Sequence, residues 1–168
     1  MSRLDSFIRR LEAQRACLEF AADLVADLEG EVLELGLGNG RTYDHVRKLF
    51  PHRKIYVCER AVAAHPDCVP PPQFLFLGDM RETLPAVRAR LADRVVLAHL
   101  DPGNGETAAS KALADQIAPL IIPLLRPNGV LVSEPALTAD ELRALLLPGG
   151  IEPGRYNLYQ RISRRSSP

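Results

Sequence analysis

The run Glu31-Val32-Leu33-Glu34-Leu35-Gly36-Leu37-Gly38-Asn39-Gly40 constrains this chain more than any other stretch. Its first half reads as a short buried strand. The glycines that follow at every second position permit positive φ and let backbone approach a neighbour with no Cβ in the way. Thr42 to Phe50 then reads as a helix stopped by Pro51. Strand, glycine-rich turn and helix make the first part of a parallel unit, because a helix that packs back on a sheet leads naturally into a parallel neighbour.

The rest of the chain continues that alternation. Strands are predicted at Lys54 to Cys58, Phe74 to Leu77, Arg94 to Leu100 and Val130 to Ser133, with helices at Thr83 to Ala92 and from about Thr107 to Leu125, the latter broken or kinked near Pro119 and Pro123. Thr138-Ala139-Asp140-Glu141 has the spacing of a capping box and predicts a helix to about Leu147, before a last strand near Arg155 to Ile162. Ahead of all this, apolar residues from Leu4 to Leu28 recur at three- and four-residue steps, the mark of a long amphipathic helix that Gly30 ends. The expected fold is α/β, a three-layer sandwich around a mainly parallel, doubly wound sheet. Sheets of this kind bind ligands beyond the carboxyl ends of their strands.

A dinucleotide-binding fingerprint places its third glycine three residues after the second; here that position is Arg41, and the glycine stands one residue earlier, at Gly40. Glu34 followed by Gly36, Gly38 and Gly40 resembles instead the first motif of the class I S-adenosylmethionine-dependent methyltransferases, which have a Rossmann-like fold. Two further acidic residues stand where that family places them, Glu59 with Arg60 behind it at the end of the second strand, and Asp79 between Gly78 and Met80 at the end of the third. Each element alone is common, but together, in order, at three successive strand ends, they are not.

The resemblance implies a small enzyme that transfers a methyl group from S-adenosyl-L-methionine and releases S-adenosyl-L-homocysteine. It implies that the glycine loop cradles the methionine part of the cofactor, with Glu34 near its ammonium group. Glu59 would take the ribose hydroxyls, and Asp79 the adenine amino group with the Met80 backbone beside it. After the fourth strand, Asp101 is the candidate for orienting the acceptor or acting as its general base, with His99 second; Asn104 and Glu106 stand nearby. Gly103 and Asn104 depart from the (Asp/Asn)-Pro-Pro-aromatic motif of the amino-methylating branches, so methylation of a nucleobase or glutamine amide finds no support. One domain is expected over residues 1–168, with an N-terminal helix (1–29), a cofactor-binding core (31–134) and a C-terminal helix and strand (135–168), shorter at that end than many relatives.

Lys and Arg number 21 against 21 Asp and Glu, so no overall field draws the chain to nucleic acid or to an anionic membrane, and the acceptor is expected to be a small molecule. The 3 cysteines include no CxxC pair, and His45, His52 and His65 have no metal-ligand spacing, so neither a disulfide framework nor a metal site is expected, and a cytoplasmic location is. Two alternatives stand beside the methyltransferase reading. One is a nicotinamide-dependent oxidoreductase, which would share the sheet and Glu59. The other is a non-catalytic S-adenosylmethionine-binding protein that uses an apolar stripe on the first helix, Leu4, Phe7, Leu11 and Leu18, to meet a partner or a second copy of itself.

Overall fold

A computed structural model describes residues 2–102 and 107–162, so Asn104 and Glu106 lie outside the described residues. In chain order its elements are α1 (Arg3–Leu24), β1 (Glu31–Leu35), α2 (Arg41–Leu49), β2 (Ile55–Glu59), β3 (Leu75–Leu77), α3 (Met80–Leu91), β4 (Val95–Leu100), α4 (Thr107–Ile121), β5 (Leu125–Ser133), β6 (Leu142–Ala144) and β7 (Asn157–Arg161). The strands form a 7-stranded sheet in the order β3-β2-β1-β4-β5-β7-β6. The pairs β1–β2, β1–β4, β2–β3 and β4–β5 are parallel. β7 runs antiparallel to both β5 and β6.

Every residue of β1 and of β4 is buried, which is why β4 reads as a nearly continuous apolar run and why Glu31 and Glu34 of β1 each need a polar partner. One face of the sheet packs Leu33, Leu35, Ala98 and Leu131 against α3 and α4; the other packs Val32, Val57, Leu97 and Val132 against α1 and α2. α4 passes through Pro119 without ending, and the chain turns at Ile122–Leu124, where Pro123 stands. Burial pushes the thiols of Cys17 and Cys58 up, to about 11 and about 12, so both behave as small apolar side chains. Among the described residues no helix is long and apolar enough to cross a membrane.

The predicted helix from Thr138 to Leu147 does not form. Leu142 to Ala144 instead pairs with β7, and the pairing is extended at both ends, by Leu145 N–H donating to Leu158 O and Ile162 N–H donating to Glu141 O. β7 would otherwise expose a row of backbone groups, and satisfying them outweighs a modest local helix preference. The shortening at this end therefore falls on a helix, and the sheet keeps two strands after β5 where one was expected. α1 also departs from its apolar pattern: Ala13, Gln14, Cys17, Leu18 and Ala21 are buried, whereas Leu4, Phe7 and Ile8 are exposed.

Leu97, fully buried in the central strand, tests this packing. Leu97→Ala should lower unfolding free energy by about 2–5 kcal/mol in urea titrations, because the cavity it leaves lies between α1 and the sheet.

Candidate functional site

Beyond the carboxyl ends of β1 to β4 lies a cleft of about 340 Å³. Each strand delivers a loop to it: Gly36 and Gly38 after β1, Glu59 to Ala61 and Ala63 around the end of β2, Gly78 to Met80 after β3, and Asp101 and Pro102 after β4; Leu113 of α4 completes the wall. Gly36, Gly38, Glu59, Arg60, Gly78, Asp79, Met80 and Asp101, all singled out from sequence, thus share one cavity. Glu34, Gly40 and His99 do not line it.

The glycines have separate reasons. A Cβ on Gly36, whose φ is +103°, would sit 2.4 Å from the backbone oxygen of Asp101, so only glycine lets the first and fourth loops touch. A Cβ on Gly38 would meet nothing within 4 Å, and bare backbone faces open space there. Gly40 is the N-cap of α2, where a Cβ would fall 2.4 Å from that of Cys68, so its role is packing beneath the loop.

The Glu59 carboxylate is braced by backbone: Oε2 accepts from Leu37 N–H at 2.7 Å and Gly38 N–H at 2.9 Å, and Oε1 from Arg60 N–H at 2.6 Å. It ties the end of β2 to the glycine loop. Asp79 caps α3 by accepting from Arg81 N–H at 2.9 Å, and the Arg81 guanidinium grips both its oxygens. Those hydrogen bonds, with the charges of Arg81 and Arg60, hold the Asp79 carboxyl far below the usual carboxylate range. Bare backbone, a braced carboxylate and a permanently charged carboxylate in one row fit an amino acid, a sugar and a base joined end to end.

Under the fourth loop runs a buried polar network. β1 and β4 pair so that Glu34 faces His99, and both are fully buried on the α1 side of the sheet. Glu34 Oε2 lies 3.0 Å from His99 Nδ1, while among the described residues Glu34 Oε1 finds no hydrogen-bond partner. His99 Nε2 lies 3.0 Å from the Tyr156 hydroxyl, and the two rings stack with centroids 6.0 Å apart. Tyr156 lies 3.2 Å from Asp101 Oδ2, an oxygen that also accepts from Gln14 at 2.8 Å. Arg10 donates to both oxygens of Asp101, at 2.8 and 2.7 Å, and sits 3.9 Å from Glu134.

Arg10, Gln14 and Tyr156 escaped sequence reasoning. Gln14 carried a signal: it falls one helical turn before Leu18, inside the buried stripe, where a polar side chain must find a polar partner. Nothing local marked Tyr156.

Burial raises the Glu34 carboxyl, against the pull of His99. For His99 burial works downward, but the charge and hydrogen bond of Glu34, with Asp101 beyond, outweigh it and Arg10 together, so the imidazole is raised.

The family model described as S-adenosyl-L-methionine methyltransferase matches residues 1–161. The chain belongs to this family. S-Adenosylmethionine is therefore its methyl donor. An S-adenosyl-L-methionine methyltransferase from Silicibacter pomeroyi is 48% identical, with a TM-score of 0.91 over 96% of this chain and 99% of that one. Human methyltransferase-like protein 13, solved with S-adenosylhomocysteine, matches at 14% identity and a TM-score of 0.57 over 92% of this chain and 83% of that one. The antibiotic-resistance methyltransferase Kmr matches at 15% identity and 0.54, over 85% and 93%. These last two share the fold. No curated protein matches the methyltransferase in sequence.

Glu34 and His99 both bind protons more tightly in the folded chain than in the unfolded one. The stability they contribute is complete below the unfolded values and is lost as pH rises through the raised ones, which for His99 lie above about 6.5. Urea midpoints should therefore fall between about pH 6 and pH 8, and His99→Gln should flatten that decline.

Proposed function

We propose that the cleft at the ends of β1 to β4 holds S-adenosylmethionine with its methyl group toward Asp101 and Pro102, and that methyl passes there to a small-molecule acceptor in the cytoplasm. The observation that carries this is the shared lining, in which four successive strand ends each bring one recognition element to a single cavity. Bare backbone at Gly36 and Gly38 lies against the methionine part. Glu59 accepts from the ribose hydroxyls, Arg60 closes over the sugar, and Asp79 accepts from the adenine amino group with Gly78 and Met80 alongside.

The cofactor supplies an electrophilic methyl on a sulfonium, and transfer leaves a neutral thioether and needs no acid at the leaving side. What the chain supplies is alignment, an effect that reaches about 7–11 kcal/mol when reacting atoms are held in line. Asp101 suits the orienting role over that of a base. Arg10, Gln14 and Tyr156 engage both of its oxygens from the α1 side and hold the side chain in one orientation. His99, walled off from the cleft, acts through Tyr156 and does not touch the acceptor. A small acceptor is supported by the balanced charge of the chain, and a reducing compartment by its three free cysteines.

The expected outcome for Glu59→Ala is a loss of about 1.5–3 kcal/mol in S-adenosylhomocysteine binding by titration calorimetry, roughly 10- to 150-fold. Asp79→Ala should weaken binding too, with adenosine losing affinity in the same proportion. Unchanged affinity in both variants would remove the assignment of this cleft.

A further inference from the structure

The network behind Asp101 has a feature that packing alone does not require, a single hydrogen with two competing acceptors. The Gln14 amide nitrogen donates to Asp101 Oδ2 and to the Tyr156 oxygen, both at 2.8 Å. Tyr156 therefore accepts from Gln14 and has one hydrogen left to give. Two acceptors stand within reach of it, His99 Nε2 at 3.0 Å and Asp101 Oδ2 at 3.2 Å. With His99 neutral and its Nδ1 hydrogen on Glu34, Nε2 is a lone pair that competes for that hydrogen. With His99 doubly protonated, Nε2 is itself a donor, and the phenol can give only to Asp101.

We propose that His99 and Tyr156 form a proton-read switch that sets how strongly Asp101 engages the cationic amino group of the cofactor. This rests on the reading that the methionine part lies against Gly36 and Gly38, and it adds to that wall Asp101, whose backbone oxygen a Cβ on Gly36 would meet at 2.4 Å. A second proton on His99 does two things of one sign. It directs the Tyr156 hydrogen into a lone pair of Asp101, and it places a positive charge behind that carboxylate. Both weaken the attraction of Asp101 for an ammonium group. Tyr156 and His99 are positioning residues here, since neither lines the cleft.

Among the described residues, the charged and titratable groups around His99 are Glu34 from β1, Asp101 from the end of its own strand, Arg10 from α1 and Tyr156 from the approach to β7, with Glu134 reached through Arg10. With Glu34 Oε2, 3.0 Å away, taking the Nδ1 hydrogen in both states, the gained and lost proton is the one at Nε2. The raised affinity of His99 for protons brings the event toward neutral pH and above. Sequence proximity hides this arrangement: Gln14, His99 and Tyr156 come from three distant parts of the chain.

The test uses the full chain and S-adenosylhomocysteine. Imidazole resonances of His99 are followed by NMR between about pH 5 and pH 9, and S-adenosylhomocysteine affinity is measured by calorimetry over the same range. The expected result is affinity that tightens at least about fivefold as His99 loses its second proton, with the step centred on the NMR midpoint; linkage requires saturating ligand to lower that midpoint. Tyr156→Phe should abolish most of the step. A wild-type affinity that is flat through the His99 midpoint, a His99 that keeps one protonation state throughout, or a full step surviving in Tyr156→Phe overturns the proposal. The wild-type measurements decide it even if that variant unfolds. Asp101→Asn separates the two levels: if it leaves affinity unchanged at every pH, the placement of Asp101 beside the cofactor falls and the switch with it, whereas weakened binding together with a flat wild-type profile removes the switch alone.

Discussion

The contact on which the architecture turns is a carboxylate and an imidazole facing each other inside the sheet. Glu34 and His99 are both fully buried in the two central strands, where an unpaired charge would cost several kcal/mol. They are tolerable only as a hydrogen-bonded pair, and that pairing requires the β1–β4 register observed. A slip of β1 by one residue would turn Glu34 toward α3 and α4, into a wall of Leu, Ile and Val, and leave His99 buried without its carboxylate. The pair thus acts as a registry pin, and the same register brings Gly36 under the Asp101 carbonyl, where the two loops of the cleft meet.

From that pin the polar contacts run in one direction. His99 leads to Tyr156, Tyr156 to Asp101, and Gln14 bridges them, so the floor of the methyltransferase cleft is continuous with α1 and with the approach to β7. The residues that line the cleft belong to loops, but the stiffness of those loops is drawn from elements on the other side of the sheet. Glu59 does the same at the opposite end, holding Leu37 and Gly38 by their amides.

Much of this was legible in the residues. Runs of buried apolar side chains gave away β1 and β4, and the glycine spacing with acidic strand ends located the cleft, because short-range chemistry decides both. Partners that lie far apart in the chain leave no such local mark. Leu142 to Ala144 has the look of a helix until β7 offers it a free edge, which no local window contains. Glu34 was expected beside the ammonium group, yet the structure turns it to His99, and only the strand register reveals that. Arg10 and Gln14 looked like ordinary helix polarity, since their partner Asp101 is some ninety residues away.

The origin of Arg10 and Gln14 on α1 has a bearing on how such enzymes diversify. The part of the chain that lines the cleft and the part that braces it are different segments, joined by a handful of polar contacts across the sheet. Grafting the glycine-loop core onto a foreign leading helix would transplant every loop of the cleft and still sever the wiring beneath them.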